Sequence, residues 1–163
     1  MRRGSYRCAV AQGFTLIELV TVVVLVSALS VFAAPRMFNS SAFNARGLHD
    51  ETLSYLRYAQ KSAVAQRRIV CLAFTVNSVS LNIRAVPGQG SCDTPLRSPT
   101  GNVTGTLKGN GDASYDAIPA DFNFDGLGRP VGGDGAPLAS RTLQVVGLDS
   151  AITVEAATGY VHD

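Results

Sequence analysis

The stretch GFTLIELVTVVVLVSALSVFAA, residues 13–34, is the feature around which the chain is organised. From Phe14 onward it is apolar for about 21 residues with Glu18 as its only charge, and about 20 apolar residues in a helix cross the hydrocarbon of a bilayer. Three arginines precede it within the first seven residues, and such basic flanks stay cytoplasmic. The pattern therefore predicts a transmembrane helix over residues 14–34, with everything after it exported from the cytoplasm.

Glu18 is the residue of this stretch that needs an explanation. An acid at the centre of a membrane helix costs about 2.5 to 3.5 kcal/mol on insertion scales, so a retained acid usually has a partner. No Lys or Arg lies between Gly13 and Pro35. If the chain were cut between Gly13 and Phe14, the new amino group of Phe14 would be a cation at the same depth in the membrane. In a packed array of such helices, Glu18 of one chain is expected to neutralise the amino terminus of a neighbour.

The hexapeptide GFTLIE, behind a short basic leader and before an apolar run that ends at a proline, resembles the type IV prepilin signature of pilins and pseudopilins. The resemblance implies a leader of residues 1–13, which a prepilin peptidase removes by cutting between Gly13 and Phe14. The same peptidase then methylates the Phe14 amino group. The resemblance also assigns Glu18 to assembly and a helix kink to Pro35. An ordinary secretory signal is disfavoured by the length of the apolar run, and a plain single-pass anchor by an unpaired Glu18.

Composition and cysteine content agree with one exported domain, residues 35–163. The 163 residues are 46% hydrophobic and 16% charged, which suits one small domain behind a membrane helix. Without the three leader arginines, 11 of the 14 basic side chains remain against 12 acidic ones, so the charge gives no argument for nucleic acid. Cys8 falls in the leader. Cys71 and Cys92 are predicted to form a disulfide that closes a loop of about 20 residues and stabilises by about 3 kcal/mol, with two buried free thiols as the alternative.

One amphipathic helix is predicted from about residue 41 to residue 68 of the exported part. Its apolar residues recur at helical spacing and form the face predicted to seek a core: Ala45, Leu48, Thr52, Tyr55, Leu56, Ala59 and Ala63.

Strands are predicted after this helix. Residues 69–76 and 79–86 flank the turn Asn77-Ser78 as a hairpin. Later strands are predicted at 122–124, 142–146, 151–156 and 160–161. Residues 87–119 are rich in turn residues and are predicted to form a long loop with at most one short strand, at 103–107. The fold class is therefore α+β, with a long N-terminal helix packed on an antiparallel sheet.

The resemblance extends beyond the signal. Residues 43–74, Cys92 with its sequence CDT, and FDGLGRP at 124–130 are similar to minor pilins of the mannose-sensitive haemagglutinin (MSHA) pilus and to the wider FimT and GspH group. This similarity implies a type IV pilin-like fold and a structural role as a minor pilin of a pilus fibre. The implied partners are other pilins, the prepilin peptidase, the inner-membrane assembly platform and membrane lipid. The implied location is the inner membrane, with the C-terminal domain periplasmic, and then the surface fibre of a Gram-negative bacterium.

Two other functions remain open within the same group of proteins. The first is a GspH-like minor pseudopilin of a type II secretion system. The second is a FimT-like pilin that binds DNA during uptake. Arg67 and Arg68 form the only adjacent basic pair after the leader, but the last hairpin, TGYVHD, lacks the arginines that such DNA-binding pilins carry there. The pair is expected to be a solvated helix end that interacts favourably with the macrodipole.

No pattern in the chain predicts a catalytic, cofactor or metal site. DFNFDG at residues 121–126 matches the opening of a calcium loop, but Gly132 stands where a bidentate Glu is needed, so a turn is predicted instead. His49 and His162 have no metal-ligand spacing and are both expected in solvent. No nucleophile motif occurs, so the chain is not expected to be an enzyme.

Overall fold

The computed structural model describes residues 14–33, 40–86, 91–98 and 104–163. The chain divides into two compact units, Met1–Asn39 and Ser40–Asp163. The predicted leader, with Gly13 and Cys8, lies outside the described residues, and so does the kink predicted at Pro35.

The described part of the first unit is one helix, α1, Leu16–Ala33. Its side chains are exposed around the whole circumference as far as Ser30, and a helix with apolar residues on every side presents such a surface. The Ser27 and Ser30 hydroxyls donate to the carbonyl groups of the preceding turn at 2.8 and 2.7 Å, so their polarity is satisfied within the helix. Within the described residues, no helix combines the length and the hydropathy that crossing a membrane requires.

The second unit is built on a helix of 27 residues, α2, Ser40–Gln66. All seven residues predicted to form its core face are buried, which confirms the face that the helical spacing indicates. The same face also buries His49, Leu53 and Ser62.

Backbone hydrogen bonds end α2 in a Schellman motif. The Arg68 amide donates to the Ala63 carbonyl at 3.1 Å, and the Arg67 amide donates to the Val64 carbonyl at 3.3 Å. Arg67 has a φ of 50°, in the left-handed region that this motif requires and that glycine usually occupies. The backbone of Gly126 lies directly against that of Arg67, because a Cβ added to Gly126 would come within 3.2 Å of the Arg67 carbonyl carbon.

Six antiparallel strands form the larger sheet, in the order β3-β2-β1-β5-β6, with β4 also paired to β2. The strands are β1 Val70–Phe74, β2 Ser78–Ile83, β3 Thr94–Pro95, β4 Thr106–Lys108, β5 Phe122–Phe124 and β6 Pro130–Val131. The register pairs Val70 with Ile83 on one side of β1 and with Phe124 on the other. Val70, Leu72 and Phe74 are buried, since alternate residues of β1 point to the core.

A smaller antiparallel sheet has the order β7-β8-β9, and its strands are β7 Arg141–Gln144, β8 Ala151–Val154 and β9 Val161–His162. The Arg57 Nε on α2 donates to the Val161 carbonyl of β9 at 3.0 Å, which links this sheet to the helix.

One hydrophobic core joins α2 to both sheets. Its aromatic centre consists of Phe74, Phe122, Phe124 and Tyr115, with ring centroids 5.3 to 6.0 Å apart. The Tyr115 hydroxyl lies 2.8 Å from the Thr52 hydroxyl of α2. Burial raises the pKa of Tyr115, and the hydrogen bond with Thr52 offsets part of that effect.

The structure confirms the α+β class and corrects the prediction for residues 87–119. That segment contributes two strands, β3 and β4, rather than at most one, and it places Tyr115 and Ala113 in the core. β6, which no pattern predicted, pairs with β5. These strands have two or three residues, too few to show an alternation in the sequence.

The second unit has two ends along α2, named here the lower and upper ends. The lower end is where α2 begins. The β1–β2 turn, the segment 109–121 and the turn 146–150 lie beside it. The His49 Nε2 atom of α2 lies 3.5 Å from the Ser150 hydroxyl at this end. At the upper end α2 stops, and the turns 125–129 and 155–160 pack on it.

Candidate functional site

The start of α1 carries Glu18, the acid that the sequence assigns to assembly. Thr15 precedes the helix, and its carbonyl accepts from the Leu19 amide at 3.1 Å. The Thr15 hydroxyl accepts from the Glu18 amide at 3.3 Å. Thr15 is therefore the N-cap, and Glu18 occupies the third position of the first turn, where an acid interacts favourably with the helix dipole. Thr-x-x-Glu is a capping-box pattern that is visible in the sequence and was overlooked there.

The surface around Glu18 is apolar. Phe14, Glu18, Leu19, Val22 and Val23 line a shallow depression of about 240 Å³ on α1. Phe14, directly before the N-cap, and Glu18, in the first turn, line the same depression. Glu18 forms no ion pair with any described residue. A cation brought to this face by another molecule would therefore find a carboxylate beside an apolar surface.

Cys71 and Cys92 form a disulfide, as the sequence predicts, with their Cα atoms 6.1 Å apart. Cys71 points away from the core, because its neighbours Val70 and Leu72 on β1 point inward. The bond attaches the segment before β3 to the centre of the larger sheet. It therefore restrains the long connection after β2.

The turn 125–129 is held by the Asp125 carboxylate. Asp125 accepts hydrogen bonds from the Leu127 and Arg129 amides at 2.9 and 2.8 Å and from two Arg129 side-chain nitrogens at 3.0 and 2.8 Å. Burial alone raises the pKa of Asp125, but the bonds from Arg129 and Leu127 and the Arg129 charge outweigh it and hold the pKa below its ordinary value. This turn presents Leu127, which is 72% exposed.

The three polar residues of the calcium-like run have separate partners. Asp121 Oδ1 accepts from the Phe74 amide at 2.8 Å, and Asn123 donates to the Gly132 carbonyl at 3.1 Å. Asp125 is bound by Arg129. All three side chains therefore form hydrogen bonds that hold the sheet and its turns together. No group of three or more metal-ligating side chains occurs in the parts of the chain that the structure describes.

Replacing Asp125 by asparagine is expected to lower the free energy of unfolding by about 1 kcal/mol at pH 7, because the charged hydrogen bonds with Arg129 are lost. The stabilisation by the native carboxylate is fully present above the unfolded pKa of about 4 and is lost as the pH falls through the lowered folded-state value. Urea unfolding at pH 7 and at decreasing acid pH measures the difference. The matched control is Asp134→Asn, since Asp134 accepts from the Ala136 amide at 3.0 Å in a turn without an arginine. Equal effects of the two substitutions would contradict the role of Arg129.

The expectation for His49 was wrong. Its side chain is 5% exposed, with Nδ1 3.2 Å from Asp50 Oδ1 and Nε2 3.5 Å from the Ser150 hydroxyl. This order of hydroxyl, imidazole and carboxylate resembles a catalytic arrangement, but Asp50 is an exposed neighbour on the same helix. His49 joins the turn 146–150 to α2.

His162 is half exposed, and its Nε2 lies 3.1 Å from the Glu155 carboxylate. It stacks on Tyr160 with the ring centroids 5.4 Å apart. The Tyr160 ring is thereby held at the upper end.

Comparison with solved structures finds the type IV minor pilin FimU of Pseudomonas aeruginosa in two crystal forms. One superposes with a TM-score of 0.52 at 18% identity and covers 76% of this chain and 90% of that chain. The other gives a TM-score of 0.49 at 20% identity, over 72% and 90%. No protein-family model and no curated protein sequence matches the chain. The first superposition confirms the predicted fold: a helix packed on antiparallel sheets in the manner of a type IV pilin.

Proposed function

We propose that the chain is a minor pilin, a structural subunit of a type IV pilus of the MSHA kind that helps to initiate the fibre or is incorporated in it. The observation that carries the proposal is a combination within one chain. GFTLIE stands at the start of a helix that is apolar on every side and has Glu18 as its only charge, and the domain that follows has the fold of a minor pilin. Each feature alone is less specific, because apolar helices and α+β domains are common.

In this proposal, the subunit is located in the inner membrane before assembly. Residues 14–34 hold it in the lipid with the domain in the periplasm, where the Cys71–Cys92 disulfide is stable. The prepilin peptidase cuts between Gly13 and Phe14 and methylates Phe14. The apolar helix then leaves the lipid and packs among the helices of other pilins, so its surface stays out of water throughout.

Glu18 supplies the register of this packing in the proposal. A subunit whose carboxylate meets the amino terminus of a neighbour forms a charge pair, whereas a misplaced subunit leaves a charge buried without a partner. The exposed carboxylate beside the apolar depression on α1 supports this role.

The N-terminal sequence and the mass of the protein test the proposal, measured on chains from membranes and from sheared surface fibres. We expect a chain that begins at methylated Phe14 and is present in the fibres. The matched control is Gly13→Val, which places a branched side chain at the cleavage site and should leave an uncut chain that is absent from fibres. A wild-type chain that begins at Met1, or one cut near Ala34 and found in solution, would overturn the proposal.

A further inference from the structure

Charge is unevenly distributed between the two ends of the second unit. The lower half carries six acidic side chains, namely Asp50, Glu51, Asp112, Asp116, Asp121 and Asp149, against the basic Arg46 and Lys108. The upper half carries seven basic side chains, Arg57, Lys61, Arg67, Arg68, Arg84, Arg129 and Arg141, against Asp93, Asp125 and Glu155. Arg97, Asp134 and Asp163 lie at intermediate height. Negative and positive side chains of the domain are therefore strongly separated along α2, although its net charge is small.

Local contacts leave this separation of charge in place. At the upper end, Asp125 pairs with Arg129, and the Glu155 carboxylate lies 3.1 Å from His162 Nε2. Among the described residues, Lys61 and Arg67 form no ion pair and are exposed. At the lower end, the exposed acids have no cationic partner among the residues that the structure describes, apart from the contact of Asp50 with His49. The uncompensated charge is thus positive above and negative below.

Large apolar side chains are exposed at both ends. Leu127, Tyr160 and Val64 surround the place where the two upper turns meet α2, since Gly128 and Gly159 touch each other and Gln60 there. The Asp125 turn fixes the backbone at Leu127, and stacking on His162 restrains the Tyr160 ring, so less conformational entropy remains to be lost on binding.

The lower end has an apolar set of its own. Phe43 is 78% exposed on the first turn of α2, and Val146 and Ile118 are exposed on the neighbouring segments. Val146 and Asp112 also line an open groove of about 230 Å³ beside Ser41 and Ala45. Phe43 and Val64 are separated by 21 residues of α2, or about 30 Å. The two surfaces are therefore distinct and lie at opposite ends.

We propose that the upper end of one copy docks on the lower end of a second copy, head to tail. The two ends are complementary. The upper end has protruding apolar side chains surrounded by cations, and the lower end has an apolar groove surrounded by carboxylates. Complementary potentials of this kind fix orientation and suppress the reversed, like-charged contact. Because the two surfaces differ, the contact is heterologous and repeats into an open stack rather than closing as a symmetric dimer.

This inference concerns self-association of the Ser40–Asp163 unit and goes beyond the proposed role in a pilus. A chain missing from surface fibres would refute that role and leave the self-association measurable. A basic upper end alone would also attract nucleic acid, but the lower surface would then be irrelevant. The experiment therefore changes both ends.

Sedimentation of the full-length chain in a nonionic detergent, at increasing concentration, tests the proposal. An upper variant, Lys61→Glu with Arg67→Glu, and a lower variant, Asp112→Lys with Asp149→Lys, should each lose at least about tenfold in association constant, because like charges then face each other. An equimolar mixture of the two variants should restore association, since each reversed end meets a complementary one. Raising the salt from about 0.1 to 1 M should weaken the wild-type contact, as the Debye length falls from about 10 to 3 Å.

Restoration in the mixture also shows that both variants are folded. A single chain carrying all four substitutions provides a second measurement, because it should associate like the wild type. The proposal is overturned if the wild type stays monomeric, if the variants associate as it does, or if neither the mixture nor the fourfold variant recovers. It is equally overturned if only the upper variant matters and the wild type shifts short duplex DNA, which would identify a phosphate surface.

Discussion

Replacing Gly159 by alanine is expected to lower the free energy of unfolding by at least about 3 kcal/mol, because a backbone contact between two turns cannot accommodate a side chain. A Cβ at this position would lie 1.8 Å from the Gly128 carbonyl oxygen and 3.1 Å from Gln60 Nε2. The φ of Gly159 is +65°, so the left-handed conformation adds about 1 to 2 kcal/mol for any residue with a Cβ. To remove this clash, the turn 125–129 has to move away from the turn 155–160, which disrupts the packing of the upper end.

A second glycine separates the two causes. Gly135 has a φ of +83°, but a Cβ added there meets nothing within 4 Å. Gly135→Ala should therefore lower stability only by the conformational term of about 1 to 2 kcal/mol. Urea unfolding followed by tyrosine fluorescence compares the two variants with the wild type. Equal losses for Gly135 and Gly159 would show that the contact with Gly128 contributes nothing. A larger loss at Gly159 should be accompanied by weaker self-association, since Leu127 and Tyr160 flank this contact.

The features that sequence reasoning predicted well are those encoded by local periodicity. Ala45, Leu56 and Ala63 recur at helical spacing and are buried on one face of α2 as expected. The alternation around Leu81 likewise predicted β2. Such patterns are strong because a whole helix or strand packs on the same core, so many nearby residues repeat the same requirement for an apolar side chain.

The features that it missed depend on distant partners. Tyr115 is buried because Phe74 packs on its ring and because its hydroxyl forms a hydrogen bond with that of Thr52, 63 residues away. Nothing near Tyr115 in the chain signals this, since glycine and aspartate surround it. His49 is similar: its environment comes from Ser150, which is 101 residues away. Short-range propensity carries no information about such pairings.

The site at α1 illustrates the opposite case, a local signal that was overlooked. The spacing of Thr15 and Glu18 indicates a capping box, and the Glu18 amide does bond to the Thr15 hydroxyl. Glu18 therefore has two explanations of different physical kinds. One is stabilisation of the helix start by an acid, and the other is a charge offered to another subunit.

Replacing Glu18 by valine is expected to reduce incorporation into surface fibres at least about tenfold while membrane insertion stays normal, because removing one partner of a buried charge pair costs about 3 to 5 kcal/mol. In the proposed fibre, the amino terminus of the neighbouring Phe14 would be left buried without its carboxylate. Insertion should not suffer, since valine is more apolar than glutamate. The ratio of subunit in sheared fibres to subunit in membranes measures the effect.

Two further variants decide between the explanations of Glu18. Glu18→Gln keeps a residue that serves in a capping box but removes the charge, whereas Thr15→Val removes the hydroxyl that caps the helix and leaves the carboxylate. If charge pairing governs assembly, Glu18→Gln should fail like Glu18→Val, and Thr15→Val should lose only the cap, about 1 kcal/mol of helix stability. Normal incorporation of Glu18→Gln together with failure of Thr15→Val would reduce Glu18 to a capping residue. The register of the fibre would then have to come from contacts of the domains, of which the oppositely charged ends of Ser40–Asp163 are the strongest candidate.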